Sequence, residues 1–330
     1  MNKRKLILTS GVANTFEWYD YALFGHLAPI IGQKFFPETE PSAVLLQVFL
    51  VFAIGYLMRP LGGIFFGVIG DKFGRKVALS TAIMCMAIPT AAIGFLPTYE
   101  SIGVASAILM VVIRMMQGLS MGGSLTGSIS FIIEHTPKKK RGLFGSISMA
   151  SICMGILLGS VVLFLVKSIF TPEQFDDWAW RIPFIMGIAV YFAGMYIKKH
   201  TSETPLFEDA KARGEILRSP LKTTFKHYWF DLIISIFINM TGSIIFYMVA
   251  IYLVSYLKIN RGFPESDISF LINSCYVMMI FITLWAGWLS DKIGRQKIFI
   301  INLIFIIIAS PLLLTTISVG GFTMVAISML

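Results

Sequence analysis

Residues 67–76 read GVIGDKFGRK, and residues 287–297 read GWLSDKIGRQK. Gly67 and Gly287, Asp71 and Asp291, Gly74 and Gly294, and Arg75 and Arg295 each stand 220 positions apart. Each copy is a short charged turn between two long apolar runs. Topology repeated in the same orientation indicates two parallel halves related by an axis along the membrane normal. The glycines suit a tight turn between helices, and Gly67 and Gly287 are expected to allow close helix approach. Asp71 is placed to cap the helix after the turn. A simple basic anchor would not need two copies in register.

Composition sets the solvent. The hydrophobic fraction is 56% and the charged fraction 14%, with a mean hydropathy of +0.78. A soluble domain carries about 25% charge. Several apolar runs exceed the roughly 18 residues that cross a bilayer core as a helix. They do not alternate in polarity as barrel strands do. The fold class is therefore all-α and polytopic, because unpaired backbone is too costly in lipid. The spans read as 6–33, 43–69, 77–97, 103–133, 142–168, 180–198, 229–257, 268–290 and 298–318, with part of a tenth from Phe322. The halves are 1–198 and 228–330, with 199–227 as a cytoplasmic linker. No cleavage site of the A-x-A kind comes after Lys3, Arg4 and Lys5, so the first span is read as retained.

With the N-terminus in the cytoplasm, the inner segments hold most of the Lys and Arg. The outer ones hold only Lys34, Lys167, Lys258 and Arg261. This is the positive-inside pattern. It accounts for the net charge of +9 without nucleic acid, since a basic inner face suits anionic lipid. Cys85, Cys153 and Cys275 stand singly in apolar runs, and four histidines are scattered. No metal site, cofactor or enzymatic motif is expected. A channel or scaffold would need the apolar spans but not the repeated turn.

The repeated turn has the form G-x-x-x-D-K-x-G-R-K/Q. Further stretches are NTFEWYDYALFG (14–25), RPLGG (59–63), RMMQGLSMGG (114–123), EHTPKKKRG (134–142), WRIPF (180–184) and ETPLF (203–207). Together they resemble the major facilitator superfamily, and within it the metabolite:proton symporter family, most closely the proline/betaine transporters. The resemblance covers the whole chain and implies a major facilitator fold of two six-helix halves, with the proton as coupling ion. It implies a bacterial inner-membrane location and alternating access around a midplane site. It also implies a gating role for Glu134, paired with the Arg75 side of the turn. Gly67, Asp71, Gly74, Arg75, Asp291, Gly294 and Arg295 complete the gating loops. By the 220-residue offset the second half would run past residue 330. The chain is then expected to be C-terminally truncated, and either inactive alone or completed by a second polypeptide. Family members commonly carry Glu after the paired glycines of the fourth span, where this chain has Ser124.

Charges inside the spans carry the remaining chemistry. An ionised group at a helix centre costs about 2.5–3.5 kcal/mol on insertion scales. Glu17 and Asp20 share one helix, and Asn14, Glu17, Tyr21 and Phe24 lie along a stripe at helical spacing. Arg59 and Arg114 lie deep in other spans. A buried ion pair of Arg114 with Glu17 or Asp20 is one reading. The other is a central cavity where the arginines hold a substrate carboxylate and Glu17 or Asp20 carries the coupling proton. Trp18, Tyr19, Tyr21 and Phe24 could hold a quaternary ammonium by cation–π attraction. That favours proline or betaine over a di- or tricarboxylate such as 2-oxoglutarate or citrate. In the second half, Asn239, Thr241, Tyr247 and Asn273 are the polar candidates.

Overall fold

The computed structural model describes residues 3–36, 41–216, 219–248 and 252–329. Regular structure among the described residues is entirely helical. The chain divides into two compact units, Met1–Arg218 and Ser219–Leu330. The division falls inside the segment 199–227 that the sequence marks as a linker.

The first unit contains α1 (Lys3–Phe35), α2 (Pro41–Phe73), α3 (Arg75–Phe95), α4 (Tyr99–Ile102), α5 (Val104–Glu134), α6 (Arg141–Ile169), α7 (Pro172–Asp177), α8 (Ile182–Ile185), α9 (Ile188–His200) and α10 (Pro205–Ala212). The second contains α11 (Pro220–His227), α12 (Trp229–Tyr247), α13 (Leu253–Ile259), α14 (Glu265–Ile293), α15 (Arg295–Val319) and α16 (Phe322–Met329). Eight helices among the described residues are long and apolar enough to cross a membrane. Helix α1 is not among them; it carries Glu17, Asp20 and Lys34. The expected span 229–257 is not one unbroken described helix: α12 closes at Tyr247 and α13 opens at Leu253, and residues 249–251 lie outside the described residues.

In the first unit α2 lies along α5, α1 along α6, and α3 against α5 and α9. Apolar burial cannot drive helices together in lipid, so close packing of small residues does so. Helices α2 and α5 show this directly. A Cβ at Gly118 would collide with the Gly55 carbonyl, one at Gly122 with the Arg59 carbonyl, and one at Gly62 with the Leu119 carbonyl. Gly67 does not serve this purpose: nothing lies within 4 Å of its Cβ direction. The core at one end gathers Leu23, Leu27, Ile31, Phe35, Trp180 and Phe184. A second cluster gathers Leu79, Ile83, Phe131 and Ile132. The second unit has a smaller core around Leu257, Leu271 and Ile317.

The repeat is visible in backbone geometry. Gly74 has φ 112° and ψ 151°, and Gly294 has φ 98° and ψ 146°. That region is open to glycine and strained for other residues. It lets each chain reverse in one residue, from α2 into α3 and from α14 into α15. The far ends of α3 and α15 are each met by an arginine, although the two arginines are not 220 positions apart. Arg181 donates to the carbonyls of Leu96 (2.7 Å) and Gly94 (3.3 Å) where α3 ends. Arg261 donates to the carbonyls of Ser318 and Gly320 where α15 ends. Each arginine satisfies helix-terminal carbonyls that have no partner within the helix.

Candidate functional site: a buried polar network beside an aromatic-lined arginine

The stripe on α1 faces several helices of the first unit. Asn14 comes first: its Nδ2 donates to the Ser148 carbonyl of α6 at 3.1 Å, and its Oδ1 accepts from Ser128 Oγ of α5 at 3.0 Å. One turn on, the Glu17 carboxylate accepts a hydrogen bond from Ser124 Oγ of α5. Asp20 is next. Its Oδ2 accepts from Arg114 Nη1 at 3.3 Å and its Oδ1 from Gln117 Nε2 at 2.9 Å. Gln117 Nε2 also donates to Thr90 Oγ1 of α3 at 2.9 Å, and Thr90 in turn donates to the Met86 carbonyl. Glu17, Asp20 and Arg114 are 3%, 1% and 5% exposed. They are therefore buried between helices, and Asp20 with Arg114 forms the ion pair that was one of the two sequence readings. Arg114 also lies over the Phe24 ring, its Cζ 3.3 Å from the centroid. Among the described residues its Nε and Nη2 have no hydrogen-bond partner, and neither has Gln117 Oε1.

Arg59 sits in a different setting. Its guanidinium lies over the Tyr56 ring at 3.8 Å and near the Tyr21 ring at 5.7 Å. Its Nη2 reaches Met121 Sδ at 3.3 Å. No carboxylate lies within ion-pair distance of it among the described residues. Its Nε is buried with no hydrogen-bond partner among the described residues. The rings form a continuous group: Tyr21 to Phe52 at 4.9 Å, Phe52 to Tyr56 at 5.2 Å, and Trp18 to Tyr21 at 5.2 Å. The Tyr56 hydroxyl donates to that of Tyr21. Arg59, Tyr21, Tyr56 and Phe52 are partly exposed, so this group has an open side, unlike the Asp20–Arg114 pair.

The charged turn is a second cluster. Arg75 Nη2 pairs with Asp71 Oδ1 at 3.0 Å, and Arg75 Nε with Glu134 Oε1 at 3.1 Å. Asp71 therefore does not cap a helix. It lies in the last turn of α2, four residues before Arg75, and the residue opening α3 is Gly74, with no side-chain cap. The cap comes from elsewhere: Glu203 accepts from the Lys76 amide through Oε1 (2.9 Å) and Oε2 (3.2 Å). A Cβ at residue 74 would collide with the Glu203 carboxylate. In the second copy Gly294 makes the turn, Arg295 is exposed, and Lys292 lies over the Trp288 ring at 3.8 Å. Beside the first copy, Gly63, Phe66, Gly70, Arg75, Thr126 and Ser130 line a cavity of about 270 Å³.

Sequence reasoning missed Gln117, Thr90, Tyr56, Phe52, Ser128 and Glu203. Gln117 was findable, since it lies one residue short of a full turn after Arg114 and shares its face. The tyrosine and phenylalanine of α2 carry no such signal in an apolar span. Among the described residues no group of His, Cys, Asp and Glu could hold a metal ion.

Long apolar helices, glycine-mediated packing and a turn repeated with its backbone geometry define a multi-pass membrane protein built from a repeated helical unit. The chain belongs to the Major Facilitator Superfamily, whose sequence profile matches residues 12–330. It is 36% identical to the proline/betaine transporter of Escherichia coli K12 over 303 residues, covering 89% of this chain and 60% of that protein. It is 32% identical to a glycine betaine/proline/ectoine/pipecolic acid transporter of Dickeya dadantii (strain 3937), covering 98% of this chain and 68% of that protein. The chain thus spans 60% of the length of the Escherichia coli relative. Among solved structures, the proton:xylose symporter XylE bound to 6-bromo-6-deoxy-D-glucose matches with a TM-score of 0.82 at 18% identity, covering 98% of this chain and 77% of that one. That likeness shows the fold. These relatives are transporters, not enzymes.

Proposed function

We propose that the chain acts in secondary active transport of a small zwitterionic osmolyte of the proline or betaine type, coupled to protons. The observation that carries this reading is Arg59, a cation deep in a span with no ion-pair partner among the described residues, set against Tyr56 and Tyr21. Its planar fork suits two carboxylate oxygens. The adjoining rings suit the onium end of the same solute. Glu17 carries the coupling proton on this reading. It is buried and accepts a hydrogen bond from Ser124 Oγ. Asp20 is engaged by two donors and serves to hold α1 to α5. The second reading, a di- or tricarboxylate, draws on Arg114, whose Nε and Nη2 lack partners.

Transport on this reading is by alternating access. The Arg75–Glu134 contact closes the cytoplasmic end in one state. The N-terminus lies in the cytoplasm and the membrane is the bacterial inner membrane, as the lysine and arginine distribution supports. A second polypeptide has no support in the relatives. The test is uptake of labelled glycine betaine, proline and 2-oxoglutarate by proteoliposomes, with and without an inward proton gradient. Gradient-driven accumulation of betaine or proline supports the first reading, and accumulation of 2-oxoglutarate alone supports the second.

A further inference from the structure

Helix α11 (Pro220–His227) stands apart from the charge network and the repeated turn. Proline occupies its first turn, where a missing amide costs nothing. Its sheltered side is Pro220, Thr223 and Thr224, with the threonine hydroxyls returned to the carbonyls of Ser219 and Pro220. Its outer side carries two stripes, each of residues one turn apart. Leu221 and Phe225 are 40% and 63% exposed. Lys222 and Lys226 beside them are also exposed, and neither pairs with an acid among the described residues.

The residues after the helix fix its surroundings. Tyr228 leaves helical geometry, with φ −126° and ψ 22°, so α11 is not the first turns of α12. Helix α12 begins at once with Trp229 and Phe230 and is apolar enough to cross a membrane. Tyr228, Trp229 and Phe230 are all more than half exposed, an aromatic girdle of the kind that marks the membrane–water interface. Helix α11 is therefore tied to the level where the span leaves the bilayer. There an apolar pair enters the acyl boundary and flanking lysines rise to the phosphates.

We propose that α11 is an interfacial helix whose Lys222–Lys226 pair binds anionic lipid headgroups while Leu221 and Phe225 sit in the acyl boundary. Charge complementarity selects the occupant: two unpaired cations beside exposed apolar side chains match a phosphate carried on a lipid.

The test titrates phosphatidylglycerol and phosphatidylcholine into the detergent-solubilised full chain and counts bound lipid by native mass spectrometry. Wild type is expected to bind phosphatidylglycerol preferentially. The K222Q/K226Q variant is expected to weaken that binding about thirtyfold, from the combined attraction of two lysines near an anionic surface. The K211Q/R213Q variant removes the same charge from the neighbouring segment and is expected to bind as wild type. L221S/F225S is expected to weaken both lipids. Circular dichroism confirms that each variant keeps its helices. The proposal is overturned if K222Q/K226Q binds phosphatidylglycerol as wild type does, or if K211Q/R213Q loses as much. It is also overturned if K222Q/K226Q loses a dimer rather than a lipid, which would make the face a contact between copies.

Discussion

Arg114 Nη1 donates to Asp20 Oδ2 at 3.3 Å, with the two side chains 6% and 1% exposed. The pair joins α1 to α5 inside the first unit. Removing one member of such a pair strands the other charge and costs about 3–5 kcal/mol, whereas replacing both by apolar groups is often neutral. D20N is therefore expected to lower thermal stability of the purified chain markedly, and D20L/R114M to recover most of the loss. Stability of D20N equal to wild type would show that Arg114 finds another partner.

The glycines of α2 and α5 divide sharply. Gly122 meets the Arg59 carbonyl, while Gly67 faces open space. G122A is expected to force the helices apart and destabilise by about 1–3 kcal/mol. G67A is expected to be neutral or slightly stabilising, since alanine favours helix over glycine by about 0.5–1 kcal/mol. Denaturation of the two variants side by side checks this. Equal losses would remove the packing explanation.

Arg75 and Glu134 join the charged turn to the end of α5, with side chains 28% and 17% exposed. That exposure keeps the interaction modest. A double-mutant cycle with R75Q, E134Q and the double variant is expected to give a coupling of about 1 kcal/mol or less, falling as salt is raised. Because Asp71 also holds Arg75 at 3.0 Å, R75Q is expected to cost more than E134Q. The reverse order would place the main role on Glu134 alone.

The fold was largely legible because the repeated turn needs a residue tolerant of positive φ, and both copies supply glycine at 74 and 294. The site was legible in part. Glu17, Asp20, Arg59 and Arg114 stand out because charges are rare in spans, but their pairing depends on how α1 meets α5, which spacing within one helix does not reveal. Asp20 with Arg114 spans 94 positions. The role of Asp71 was misjudged because a helix cap and an i,i+4 pair make the same demand for an acid at that point. Gly67 was misjudged for a related reason: a glycine's packing partner lies on another helix. Gln117 and Glu203 went unassigned, the first because an amide carries no charge, the second because its partner is a backbone amide 127 positions away.

The proposed transport function rests on Arg59 as the partner of the substrate carboxylate. The most direct measurement is proton-gradient-driven uptake of labelled glycine betaine into proteoliposomes by wild type, R59K and R59Q. On the proposed function, wild type is expected to take up betaine and both variants to lose uptake, because lysine keeps the charge but not the planar fork. Uptake by R59Q at the wild-type rate would contradict it.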